Sequence, residues 1–374
     1  MPIHHLYVHV PFCPRICPYC CFCVTPVTRR GMGRFLSNLL FEYRGIANDL
    51  QPRTVYFGGG TPTALPTRML DELLRGMVPS GENAPEEVTV ECNPATLSPT
   101  KALALRRGGA NRLSIGAQSF DPAVLATLGR THSVRVIDQA LGTARMAGFD
   151  RINLDLMFGV PGQTLASWEA TLAAVLERKI PHLSCYALTF EEDTEFFRRK
   201  ACGRLSQDPA MEKKMFEMAG MMLGRAGYRN YETSNHALPG HESVHNLAYW
   251  RGEDYYGIGP GAVGTVRGVR HRNGPLCDDD SWSEIEREEL TPQVMAAERM
   301  ALGLRTAEGV GETGFRRRFG FLPAERWQKE IQQLRDAGLL TESAEAGGAG
   351  RMWRLTDRGR LLADEAAVFF MNEY

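Results

Sequence analysis

No stretch of this 374-residue chain reaches the roughly 18 consecutive apolar residues of a membrane-spanning helix. That shortage argues against an integral helical membrane protein, and a peripheral association with a membrane stays open. An excess of one charge is missing as well. Lys and Arg total 43 against 44 Asp and Glu, a formal net charge of -1, which gives no support to a wholesale polyanion partner. There is no low-complexity tract, and the Gly/Ala-rich stretch Ala344 to Gly350 reads as one flexible turn. The opening residues, Met1-Pro2-Ile3-His4-His5, lack a basic region followed by an apolar core. The nine cysteines therefore do not read as the disulfide framework of a small secreted domain, and a reducing cytoplasm is the expected compartment. Nor is there a second C-x2-C pair to complete a zinc site. A hydrophobic fraction of 43% is enough for a real core, as one large domain plus a small one or as two domains.

What the chain does have is a cysteine triplet: Cys13, Cys17 and Cys20, spaced C-x3-C-x2-C. The spacing gathers three thiolates on one tight loop. Three thiolates leave one iron of a four-iron cluster without a protein ligand. Cys21 and Cys23 crowd the triplet, whereas Cys92, Cys185, Cys202 and Cys277 are scattered and read as ordinary buried thiols.

Short β-rich apolar runs alternate with helical patterns. Strands are expected over His5–Val10, Thr54–Phe57, Glu87–Glu91, Arg112–Gly116, Arg151–Met157 and His182–Thr189. Helices are expected over Arg34–Asn48, Arg68–Met77, Pro99–Arg107, Ser133–Ala147, Leu165–Glu177 and Pro209–Gly227. Such alternation predicts parallel βαβ units, and six of them predict an α/β fold with a partial (β/α)6 barrel. In barrels of this kind the chemistry sits at the carboxyl ends of the strands, and the polar motifs of this chain fall there. The expected divisions are 1–230 for the barrel, 231–290 for an extension near the ligand, and 291–374 for a smaller helical domain. In the last, Gln293–Leu304, Pro323–Ala337 and Asp357–Phe370 read as helices around strands at Leu339–Leu340 and Arg351–Leu355. That order resembles a winged helix, but Arg316, Arg317 and Arg318 are too short a cluster for a basic reading stripe. No nucleic-acid partner is expected.

Gly58-Gly59-Gly60-Thr61-Pro62-Thr63 follows a strand, where glycines let a backbone approach a ligand and expose its N–H groups. The run lacks the spacing of dinucleotide folds and of a P-loop. A mere tight turn is the competing account. Glu91 ends a strand and could hold an amino or hydroxyl group, or simply be solvated. Gln118, Arg130 and Asp155 are polar residues at or near strand ends, and Asp155 sits in an otherwise apolar strand. It needs a partner or a ligand, and an ion pair with Arg130 is one way to supply it. His245-Asn246-Leu247-Ala248-Tyr249-Trp250 sets a histidine beside two aromatics. That pattern serves packing or contact with a flat macrocycle. Gly257 to Ala262 reads as a turn over a ligand or a strained loop.

Taken together, these motifs resemble the HemW-type radical-SAM haem chaperones of the oxygen-independent coproporphyrinogen III oxidase-like superfamily. The carriers are Tyr7 to Cys13, the triplet, Gly58 to Thr63, Glu91 to Pro94, Arg112 to Phe120, Leu128 to His132, Asn153 to Leu156 and His245 to Trp250. The resemblance implies that Cys13, Cys17 and Cys20 ligate a [4Fe–4S] cluster whose open iron chelates S-adenosylmethionine (SAM). It implies that Tyr7, Gly59, Gly60, Thr61 and Glu91 line the SAM site. Gln118, Arg130 and Asp155, with Ala187 and Val263, match positions that hold SAM or a second SAM in the oxidases. His245 becomes the candidate haem contact. There are departures: Cys21 and Cys23 stand where relatives commonly carry an acidic residue and an Asn, Phe22 stands where the oxidases have a further cysteine, and only twelve residues precede Cys13.

Two functions follow from that resemblance. One is a haem chaperone that binds haem, a cluster and SAM and delivers haem to acceptors such as membrane respiratory proteins. The other is an oxidase that decarboxylates porphyrinogen propionates. The His245 to Trp250 element and the short amino terminus favour the chaperone. A homodimer is neither demanded nor forbidden by the small net charge.

Overall fold

The computed structural model describes residues 1–27, 32–345 and 350–371, so residues 346–349 of the expected Gly/Ala turn lie outside the described residues. At its centre six parallel strands pair in sequence order: β1 (Ile3–Val10), β2 (Leu50–Gly59), β3 (Glu87–Cys92), β4 (Arg112–Gln118), β5 (Arg151–Phe158) and β6 (His182–Ala187). Between them run α1 (Met32–Ile46), α2 (Thr67–Met77), α3 (Pro99–Arg107), the short α4 (Pro122–Thr127), α5 (Val134–Met146) and α6 (Leu165–Glu177). The short α7 (Glu195–Ala201) and the long α8 (Pro209–Arg225) follow β6. Every expected strand and long helix of this region is present, with ends moved by a few residues. Among the described residues no helix is long and apolar enough to cross a membrane.

The strands alternate, and the alternation decides which side is core. Leu6, Val8, Val55, Phe57, Val88, Val90, Leu113, Ile115, Leu154 and Leu183 point one way and are fully buried under the helices. Each such side chain contributes about 1.5–3 kcal/mol on burial. The intervening positions face the concave side of the sheet and are polar: His5, Tyr7 and His9 on β1, Thr54 and Tyr56 on β2, Glu87 and Glu91 on β3, Arg112 and Ser114 on β4, Asn153 and Asp155 on β5, His182 and Ser184 on β6. The barrel therefore has an apolar outside and a polar inside.

The sheet stays open. After residue 228 come β7 (Arg229–Asn230) and β8 (Asn235–Ala237), with β8 antiparallel to β6. At the far edge β9 (Tyr256–Ile258) runs parallel to β1. Between β8 and β9 lies α9 (Val244–Trp250). The stretch with little periodicity thus supplies strands to both edges of the sheet. It also forms a separate antiparallel sheet of β10 (Val263–Val266), β11 (Val269–Asn273) and β12 (Glu284–Glu289). The last of these is exposed along its whole length, so no apolar signal marked it.

The carboxyl-terminal part has its own core around Trp327, Trp353, Phe315 and Phe370. It contains α10 (Pro292–Leu304), β13 (Val310–Gly311), α11 (Glu312–Phe319), α12 (Pro323–Arg326), α13 (Gln328–Asp336), β14 (Leu340–Ala344), β15 (Arg351–Leu355), α14 (Asp357–Leu361) and α15 (Ala363–Met371). The expected helix over Pro323–Ala337 is broken at Trp327, which leaves the helical region with ψ 38° and buries its indole among Phe315, Phe321 and Phe370. The expected helix over Asp357–Phe370 breaks in the same way at Leu362. The three-arginine cluster belongs to α11, a helix the sequence reading did not anticipate.

Candidate functional site

The inside of the barrel has two levels. The floor, at the amino ends of the strands, is closed by α9. Buried Glu87 accepts from Ser243 Oγ at 3.0 Å and from the N–H groups of Val244 and His245, both at 3.1 Å, so a carboxylate sits on the amino end of that helix. Arg151 pairs with the same carboxylate at 3.1 Å. Burial alone would raise Glu87, but Arg112, the His245 N–H and Arg151 outweigh it and hold the carboxyl below its usual range. His245 Nδ1 shares a 2.8 Å hydrogen bond with Thr54 Oγ1, which in turn meets His5 Nδ1 at 2.8 Å. The His245 ring lies 5.1 Å from that of Tyr56. Burial lowers its pKa to about 4, so it is neutral at physiological pH.

His245 is therefore a floor residue, 9% exposed, rather than a group on an open face. Its aromatic neighbours in sequence point elsewhere: Tyr249 packs edge-on against Trp250 and Tyr255, and Arg305 lies 4.9 Å over the Trp250 ring. His245 and the two aromatics thus turn to different neighbours, the histidine to Thr54 and Tyr56 and Tyr249 to Trp250 and Tyr255, and form no shared flat platform in this arrangement.

The upper level, at the carboxyl ends, carries the rest. Tyr7 and Tyr56 stack at 6.1 Å. Tyr56 OH donates to Glu91 Oε1 at 2.8 Å, and Gly59 N–H donates to Glu91 Oε2 at 3.1 Å. Asp155 accepts from Asn153 at 2.7 Å and from Ser114 at 3.3 Å. Burial and then the charge of Asp155 push Glu91 up to about 7, and burial raises Asp155 as well. Two carboxylates thus stand near each other, enclosed by protein yet reached by solvent. Among the described residues neither has an ion pair. The expected partner is engaged elsewhere: Arg130 donates to Gly116 C=O at 2.8 Å and reaches Cys17 Sγ at 3.5 Å. Its Nε is buried without a partner. Gln118 holds a left-handed φ of 69°, and its amide nitrogen and Arg130 both lie over Gly116.

The cysteine loop crosses this level. Cys13 lies 3.5 Å from Thr61 Oγ1, and Cys20 N–H closes a turn onto Cys17 C=O at 3.0 Å. Burial pushes the Cys20 thiol up to about 11 and raises Cys13 too. His9 ties the loop to β1: its Nε2–H donates to Cys23 C=O at 2.8 Å, which leaves Nδ1 to accept from Tyr7 OH at 3.0 Å. Tyr19 packs on Phe196 of α7. The scattered cysteines divide, with Cys92 and Cys185 buried as expected, but Cys202 and Cys277 exposed at a helix end and in a loop.

The glycine run does not present its N–H groups outward. Those of Gly59, Gly60 and Thr61 go to Glu91, Val10 C=O and Phe12 C=O. Gly59 has φ 105°, and a β-carbon there would meet the His9 ring at 2.5 Å. The glycines let β2 fit against β1 and the cysteine loop, and so place Thr61 and Glu91. Likewise the Gly257 to Ala262 segment packs on the protein itself, where Gly259 N–H donates to Glu42 at 2.9 Å. Ala187 is exposed at the end of β6, and Val263 opens β10 beside β9. Tyr56, Ser114, Asn153 and Tyr186 also line this level and were missed, although their every-second-residue spacing in the strands marks them.

These groups fit the two cofactors. Three unpaired thiols share one loop with a guanidinium beside them. Two unpaired carboxylates suit a cationic ligand, and SAM carries an amino group and a sulfonium.

Comparison with known proteins agrees. A model of the radical SAM superfamily matches residues 7–175, and one of the HemN C-terminal domain matches residues 290–362. The heme chaperone HemW of Bacillus subtilis is 35% identical, with 98% of this chain and 99% of that protein covered. The heme chaperone HemW of Escherichia coli is 33% identical over 100% of this chain and 99% of that protein. The one from Lactococcus lactis is 36% identical over 89% and 90%. Among solved structures, the coproporphyrinogen III oxidase HemN of Escherichia coli, a radical SAM enzyme, superposes with a TM-score of 0.82 at 22% identity, over 100% of this chain and 91% of that one. That likeness is one of fold. Radical SAM membership implies a [4Fe–4S] cluster and SAM. By its identity to those relatives along nearly its whole length, the chain belongs to the HemW family of radical SAM proteins.

Proposed function

We propose that this chain is a haem chaperone: it binds haem alongside a [4Fe–4S] cluster and SAM and passes haem to acceptor proteins. The observation that carries the reading is identity of 33–36% over most of the chain to several proteins named heme chaperone HemW. Cys13, Cys17 and Cys20 would hold the cluster, which supplies an open iron for SAM. Tyr7, Thr61 and Glu91, shaped by Gly59 and Gly60, would receive the methionine end of SAM, and Gln118, Arg130 and Asp155 with Ala187 and Val263 the remainder. His245 has no part in haem binding in this reading, since it is built into the floor.

The oxidase reading shares this whole apparatus, and the polar barrel interior is what favours it. One experiment separates the two. The cluster is reconstituted anaerobically and the protein is given haem, then an apo acceptor; a parallel sample receives SAM, a reductant and coproporphyrinogen III. The chaperone reading expects a shifted Soret band, its transfer to the acceptor, and no decarboxylated porphyrinogen by mass spectrometry. Repeated turnover to that product without haem transfer would replace the chaperone by the oxidase.

A further inference from the structure

A guanidinium stays charged at any ordinary pH, and when it is taken out of water it is normally paired. Arg299, on α10, is not. It is half-buried, none of the described residues accepts a hydrogen bond from it, and its Nη1 is shut away from solvent without a partner. Its near neighbours include two further guanidinium groups, Arg318 and Arg251. A β-carbon built on Gly252 would lie 3.7 Å from Arg299 Cδ and 3.8 Å from Arg318 Nη1, so the two side chains flank the same turn. Arg318, at the end of α11, uses Nη2 on Gly252 C=O at 2.8 Å. Arg251 is close by, but Glu308 holds it with two bonds, at 3.0 and 2.5 Å. Burial, then Arg318 and Arg251, pull the Arg299 pKa down to about 10. Glu308 thus neutralises Arg251, while among the described residues neither Arg299 nor Arg318 has a carboxylate bonded to it, although Glu308 and Glu253 lie within electrostatic reach of Arg299.

Both line a cavity of about 300 Å³, together with Val310, Phe315 and Met352. Glu308 and Glu345 border it too, Glu308 paired with Arg251 and Glu345 held by the uncharged Thr313 N–H at 3.0 Å. A cavity of this volume is at the small end of ligand pockets. Its lining joins an apolar surface to a forked donor that suits a pair of oxygens.

We propose that this cavity binds a small carboxylate- or phosphate-bearing molecule, its oxyanion held between Arg299 and Arg318. The occupant would fasten α10 and α11 to the turn that ends α9, whose other end is anchored in the barrel floor.

The test uses the full cluster-loaded chain. Its melting temperature is followed against inorganic phosphate and, separately, succinate, with ionic strength held constant by chloride. A saturable rise is expected with at least one of them, and the responding anion names the oxyanion. Arg299→Met should melt no lower than the wild type without added anion, since it removes an unpaired buried charge, and should weaken apparent anion affinity by about 10- to 100-fold. Arg318→Gln, at an exposed position, should weaken it in the same sense and serves if Arg299→Met fails to fold. The proposal is overturned if neither anion gives a saturable rise, or if both variants respond as the wild type does.

Discussion

Glu91 receives two hydrogen bonds and still titrates near 7, because burial and the adjacent Asp155 outweigh the donors Tyr56 and Gly59. An unfolded glutamate titrates at about 4.3. Between those values the folded chain holds the proton and the unfolded chain has released it, so the ligand-free protein loses stability as pH rises from about 4.3 to about 7 and loses no more above that. Glu91→Gln should remove that slope: its melting temperature relative to wild type is expected to rise from pH 5 to pH 8, while SAM binding by calorimetry is lost. A cationic ligand has the opposite influence on the wild type, favouring the ionised form. At the cysteine loop the expectation is simpler. Cys17→Ala should lose the cluster's iron, sulfide and visible absorbance; a variant with full iron content would contradict the triplet assignment. His245→Ala should cost about 2–3 kcal/mol of stability through the lost Thr54 bond and ring packing, read by denaturant unfolding, and leave haem stoichiometry at its wild-type value. Haem loss without loss of stability would return His245 to the ligand set.

Among the elements, α9 depends on a residue far from it in sequence. Its first two N–H groups, which a helix cannot satisfy internally, end on the carboxylate of Glu87 in β3. Glu87→Ala should cost about 3–5 kcal/mol, because it strands Arg151 and those donors in the interior. Hydrogen exchange at Val244 and His245 should quicken markedly in that variant while exchange in α6 stays slow. None of this could be read from the sequence, since Glu87 and Ser243 are distant and no local pattern links them. The strands were legible because apolar residues recur in them, and the long helices because their periodicity runs for three turns or more. The polar alternation inside the same strands was equally visible in His5, Tyr7 and His9, or in Glu87, Thr89 and Glu91, and it identifies the barrel's inner face. Short helices such as α7 and α11 carry too few turns for a period to show. Trp327 interrupts a good helical pattern because burying the indole in the core outweighs local propensity. Of the site, the motifs marked Cys13, Glu91, Gln118 and Asp155 by position. What each touches, including the failure of Arg130 to pair with Asp155, depended on side-chain direction.

On the scale of the whole molecule, the chain beyond residue 230 finishes the sheet rather than following it. β8 covers the outer edge of β6, β9 covers that of β1, and α9 seals the floor. A chain ending at residue 230 is therefore expected to be insoluble or protease-sensitive even though it holds all six central strands and the whole cysteine loop; a soluble, protease-resistant fragment with cluster-binding capacity would refute this. The same arrangement has a consequence for how the protein is made. β1 leaves the ribosome long before the strand that protects its outer edge, which starts at Tyr256. At about 5–20 residues per second, synthesis leaves that edge unpaired for on the order of ten seconds or longer. An open parallel edge is a template for mispairing, so the nascent chain has a period of vulnerability that the finished molecule no longer shows. Ribosome-arrested chains stopped before Tyr256 should be cut readily near the amino terminus, and chains stopped well beyond it should resist.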